Sequence, residues 1–147
     1  MGAISLLAGV AGFIPVLAPI APPDAEVVTL DAGYSYLFGR FPVNVMHDGV
    51  HIAVGVFALL ASARFTWARS AMRLLFWGFL LLALLGAIPI TDTLFGIMPL
   101  YGYDVPLHLG LALIAGFAGY ARPSRASAPP EAPAKLPPPA AAGTPPA

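Results

Sequence analysis

Residues 74–90 read LLFWGFLLLALLGAIPI, seventeen positions without a charge. A helix that crosses a bilayer needs about 20 predominantly apolar residues, so this run reads as a membrane helix. Three weaker runs lie around it. Residues 2–21 carry no charge but include Pro15 and Pro19, which should kink or fray the second half. A cleaved signal peptide is the rival reading there, and it lacks the Lys or Arg expected ahead of the apolar run. Residues 43–63 follow Pro42, which suits a first helical turn. Residues 105–121 are at the short end for a span.

The composition agrees. Of 147 residues, 59% are apolar and 10% charged, against about 45–50% and about 25% in soluble proteins. Seven acids and seven bases cannot cover the surface of a soluble fold of this size. The net charge of zero leaves no basic footprint for nucleic acid. The absence of cysteine removes disulfides, thiolate catalysis and Cys-ligated metal. The expectation is an all-α, polytopic membrane protein with four transmembrane helices over residues 1–122. A Pro/Ala-rich tail follows at 123–147, where nine of 25 residues are Pro, and it should be disordered.

Charge sets the orientation, because Lys and Arg mark the cytoplasmic side. Arg64, Arg69 and Arg73 lie between runs two and three, with Trp67 among them. Arg122, Arg125 and Lys135 follow run four. Only Arg40 lies in the other connections, which hold Asp24, Glu26, Asp31, Asp92 and Asp104. Both termini are therefore expected in the cytoplasm, and Trp67 and Trp77 at its interface. Tyr34, Tyr36 and Phe38 fit the opposite interfacial belt. The expected location is a bacterial inner membrane. The partners are the lipid bilayer and, as candidates, further copies or other membrane proteins.

The chain also matches itself. LFGRFPVNVMHDGVH at 37–51 aligns without a gap on LFGIMPLYGYDVPLH at 94–108. Leu37/Leu94, Phe38/Phe95, Gly39/Gly96, Pro42/Pro99 and His51/His108 are identical. GFIPV at 12–16 and GAIPI at 86–90 end the preceding runs in corresponding places. Two tandem helical hairpins facing the same way are expected, a parallel repeat.

Asn44, His47, Asp48 and His51 fall on about a third of one helix circumference, above Gly55, Ala58 and Ser62. Asp104 and His108 repeat the pattern above Ala112, Ala115 and Gly119. Small residues let helices approach closely in lipid, so these two faces are expected to meet. The plainest reading of Asn44, His47, Asp48, His51, Asp104 and His108 is a structural hydrogen-bonded cluster near the outer face. A charge that deep is costly, so the imidazoles should be neutral and turned inward. A proton or ion relay is a second reading. The third is a cofactor: haem b with His51 and His108 as axial ligands, or a transition metal. No nucleophile elbow, phosphate loop or dinucleotide fingerprint is present, and the chain reads as non-enzymatic.

The stretch LFGRFPVNVMHDGVHIAVGV, with the later Asp104-Val-Pro-Leu-His108, resembles a family of small bacterial four-helix membrane proteins of unknown function. Its members carry LFGxFPVNxxHxxxHxxxG and a late DxxxH. Here these correspond to Leu37, Phe38, Gly39, Phe41, Pro42, Val43, Asn44, His47, His51, Gly55, Asp104 and His108. The resemblance spans roughly residues 5–121, and relatives commonly carry Asn where this chain has Asp48. It implies four membrane helices and an inner-membrane location, and no activity.

Overall fold

Pro15 sets the first departure from the expected helices. In the computed structural model, which describes residues 1–121, α1 covers Gly2–Gly12 and stops well before residue 21. The position before a proline is driven out of the helical region, so the chain turns from Phe13 onward.

The connection that follows is not all loop. Ser35–Leu37 (β1) and Phe41–Val43 (β2) pair antiparallel, with Leu37 opposite Phe41. This two-stranded hairpin corrects the all-α expectation. It also places Pro42 in a strand rather than in a first helical turn. The turn between the strands needs left-handed backbone, and Phe38 (φ 53°) and Gly39 (φ 67°) supply it.

α2 runs Val45–Ala61, α3 Phe65–Gly86 and α4 Asp104–Tyr120. α3 starts nine residues before the expected 74. The presumed basic link is therefore mostly helix, with Trp67, Arg69 and Arg73 in its opening turns. Nor does α3 reach Ile90. It ends at Gly86, where a Cβ would run into the carbonyl of Leu100. Among the described residues α3 alone is long and apolar enough to cross a membrane by itself, with a mean hydropathy of 1.6. α2 and α4 have 17 residues each and α1 has 11, so the helices are not four full-length spans. The tail expected at 123–147 lies outside the described residues.

The hairpin architecture holds: α1 packs on α2, and α3 on α4. The aligned loops also share a conformation. Phe95 (φ 57°) and Gly96 (φ 86°) repeat the left-handed pair of Phe38 and Gly39. The N–H groups of Gly39 and Gly96 donate to the carbonyls three residues back, at 2.8 and 2.9 Å. Pro42 and Pro99 are both fully buried.

The small faces divide between two contacts, only one of which was expected. Gly55 brings α2 onto α1, since a Cβ there would stand 2.5 Å from the Leu6 nitrogen. Gly119 brings α4 onto α3, 2.9 Å from the Arg73 nitrogen. Close approach therefore builds each hairpin. The hairpins meet as expected through Ala58, Ala112 and Ala115 of the small faces, together with Leu75 and Phe79.

Candidate functional site

The six polar residues singled out in the sequence occupy the first two turns of α2 and α4 and the residue that caps α2. Asn44, His47, Asp48, Asp104 and His108 are all at most 2% exposed, and His51 is partly buried. They do not form one network. They divide into three arrangements with different chemistry.

Asn44 is structural. Its side-chain oxygen accepts from the His47 N–H at 3.0 Å and caps α2. Its amide donates to the carbonyls of Leu30 and Ile97, both at 2.8 Å. One side chain thus ties a helix start to a loop of each hairpin.

Asp48 turns toward α1, away from the imidazoles. A Cβ at Gly12 would collide with its carboxylate. Asp48 borders a cavity of about 280 Å³ with Ser35 and Tyr34, and its Oδ1 and the Ser35 hydroxyl have no partner among the described residues.

The three histidines converge. His47 and His51 project from α2, four residues apart on one face, and His108 comes from α4. The His47 ring lies edge-on to His51 at 4.7 Å between centroids and stacks on His108 at 5.9 Å. One ring nitrogen from each of the three lies within 4.8 Å of the others. Asp104 stands behind His47, with Oδ2 at 3.7 Å from Nδ1. Phe79 of α3 stacks on His108 at 5.8 Å. Phe79 and Met98 line a cavity of about 70 Å³ that all three imidazoles border.

Hydrogen bonding within this group is sparse. Both nitrogens of His47, both of His108, Nδ1 of His51 and Oδ2 of Asp104 are buried without a partner among the described residues. The Pro42 and Pro99 carbonyls lie beside the His47 ring and the Asp104 carbonyl beside His108, short of hydrogen-bonding geometry. A buried polar atom with no partner costs about 1–3 kcal/mol. The mutually bonded cluster expected from the sequence is not made. What is made is a set of convergent lone-pair donors.

Three phenols that sequence reasoning left as belt residues or missed gather where the loops lead into α2 and α4. The Tyr101 hydroxyl bonds those of Tyr34 and Tyr36, the latter at 2.8 Å. Tyr34 also reaches the Glu26 carbonyl at 2.9 Å. Burial, reinforced by these bonds, pushes the Tyr101 phenol far above its ordinary value. Tyr101 aligns with Asn44 in the repeat, a signal that could have found it. Both residues hold together the loops that precede α2 and α4.

At the opposite end, Arg73 Nε donates to the Gly119 carbonyl at 2.9 Å and Arg69 to that of Ala121 at 3.0 Å. These cations satisfy the open carbonyls at the α4 C-terminus, where the helix dipole favours positive charge.

No curated protein and no solved structure matches this chain. The chain belongs to the family described as a domain of unknown function, DUF4383, whose model matches residues 1–121.

Proposed function

We propose that this DUF4383 member is a non-enzymatic binding protein embedded in the cytoplasmic membrane, with both termini inside. Its ligand site is the imidazole–carboxylate seam beneath the outer face. The observation that carries this reading is an inverted distribution of polarity. Leu7, Leu60, Leu81 and Phe117 point outward from the four helices, each more than half exposed. The ionisable residues His47, Asp48, Asp104 and His108 are buried. Water penalises that arrangement, and a bilayer favours it.

The lengths are compatible with insertion as a bundle. α3 is about 33 Å long and α2 and α4 about 25 Å, against a hydrocarbon core of about 30 Å. α1, about 16 Å, runs beside α2, and the apolar turns through Ile20 continue it. Arg64, Arg69 and Arg73 gather where α2 passes into α3, and Asp24, Glu26, Asp31 and Asp92 lie at the other end. That asymmetry supports an orientation with the arginines on the cytoplasmic side. Trp77, whose indole donates to the Tyr120 hydroxyl at 3.1 Å, supplies an inner interfacial anchor.

Alkaline carbonate extraction and paired reporters test the reading. The chain should stay with the membrane. A fluorescent reporter should be active at the C-terminus and a phosphatase reporter active only when inserted among residues 22–33. Release into the soluble fraction, or a phosphatase active at the C-terminus, would refute it.

A further inference from the structure

We propose that His47, His51 and His108 bind one divalent first-row transition-metal ion of the zinc–copper class, with Asp104 orienting His47. The inference rests on reading the seam as a ligand site and names the ligand.

The donor set comes first. Two histidines four apart on a helix present their rings to one point, the spacing by which a helix chelates an ion. The second hairpin adds a third ring, and the three donor nitrogens already lie within 4.8 Å of one another. Nitrogens about 2.0–2.1 Å from one ion stand about 3.3–3.6 Å apart, so rotamer adjustments of about an ångström close the set around it. Imidazole as sole donor suits zinc, copper, iron and nickel, and disfavours magnesium and calcium, which demand oxygen.

Two observations beyond the cluster point to a ligand. One is the run of unpartnered, buried ring nitrogens. Metal coordination uses a lone pair on each ring and leaves the other nitrogen as an N–H donor. The surroundings provide for two of those three N–H groups. Asp104 Oδ2 faces His47 Nδ1 at 3.7 Å, and the Asp104 carbonyl lies beside His108. A carboxylate or carbonyl behind each ring is the usual outer shell of a histidine metal site. The other observation is the cavity of about 70 Å³ against all three rings. Its walls are almost wholly apolar, and it leaves space into which the rings can shift. With three rings and Phe79 in mutual contact, the geometry favours an ion over the haem alternative.

Charge fits too. Two neutral imidazoles from α2 and one from α4 leave a divalent ion uncompensated. Asp104, in the first turn of α4 with Oδ2 3.7 Å from the His47 ring, is the carboxylate placed to offset part of that charge.

The test uses the full chain in detergent, stripped with chelator and titrated with Co²⁺, whose visible bands report its ligands. The proposal expects one ion per chain and the intense bands of a nitrogen-rich, low-coordinate site. His47→Ala, His51→Ala and His108→Ala should each weaken binding by about 100-fold or more, and Asp104→Asn by about 10- to 100-fold with the band shape kept. Circular dichroism and size-exclusion profiles accompany each variant. Where an alanine variant does not fold, the His→Gln variant, which keeps size and polarity, replaces it. Bands unchanged by all three histidine substitutions, or affinity no tighter than about 1 mM, overturn the proposal. Intact bands in a protein recovered from the soluble fraction would refute the membrane reading alone. Membrane insertion without bands would refute the metal site alone.

Discussion

His47 and Asp104 hold the same position in the two hairpins, and they meet: Nδ1 of one lies 3.7 Å from Oδ2 of the other. The pseudo-symmetric seam has thus diverged at this pair, imidazole on one side and carboxylate on the other, as it has at Asn44/Tyr101 and Asp48/Val105. His51 and His108 remain alike.

That divergence makes a double-mutant cycle informative. His47→Asp alone sets two buried carboxylates against each other, and Asp104→His alone removes the only carboxylate beside His47. Each should lower the melting temperature. The exchange His47→Asp/Asp104→His restores the pair, and the recovered coupling should be about 1–3 kcal/mol. Strictly additive losses would show that the two residues do not interact.

Asn44 carries one cap and two interloop bonds. Asn44→Ala should cost about 3 kcal/mol, since a lost cap is worth about 1 kcal/mol and stranded carbonyls add to it. Asn44→Asp keeps the cap acceptor but no donor, so it should also destabilise. Thermal unfolding in detergent reads both, and a Tm for Asn44→Asp equal to wild type would contradict the interloop role.

Both LFG turns need left-handed glycine, but their surroundings differ. A Cβ at Gly39 meets nothing, whereas one at Gly96 meets the Thr29 side chain. Gly39→Ala should cost about 1 kcal/mol from backbone strain alone. Gly96→Ala should cost more, because it also disturbs the N–H donors of Thr29 and Leu30, both bonded to the Gly96 carbonyl at 2.8 and 2.9 Å. Equal losses in a chemical or thermal melt would argue against the Thr29 contact.

The phenols at the outer end give a pH signature. A Tyr101 phenol raised by burial binds its proton more tightly folded than unfolded. Its contribution is complete below the ordinary tyrosine range and is lost as pH rises above about 10. Melting temperature should therefore fall from about pH 9 to 11, and Tyr101→Phe should flatten that slope. A steeper slope in the variant would rule out Tyr101 as the source.

How legible was this in the sequence? Two hairpins and inward-facing histidines follow from the repeat and the polar stripe, because both are local patterns. The convergence of His47, His51 and His108 was only partly legible. His47 and His51 share a helix face by spacing alone, and the repeat set His108 opposite His51, where the rings lie 6.4 Å apart; the stacking of His47 on His108 depends on how the two hairpins pack. The separation of Asp48 from the imidazoles was not legible. It depends on α1 approaching α2 closely enough at Gly12 to draw the carboxylate its way. Helix ends were misplaced wherever hydropathy overrode local chemistry. Apolar residues continue past Phe13 and past Gly86, but Pro15 and Pro89, three residues beyond the last helical glycine in each case, stop the helices. Conversely, Arg69 and Arg73 looked like a polar link, yet they extend α3 by bonding the end of α4.

The central claim is that three imidazoles from two hairpins share one ion. X-ray absorption at the metal edge, on the chain loaded with one equivalent of Zn²⁺ in detergent, tests it most directly. The account predicts a first shell of nitrogen at about 2.0 Å with the outer-shell scattering of three imidazole rings, reduced to two in His108→Ala. A shell of oxygen alone, or a spectrum identical in His108→Ala, would contradict it.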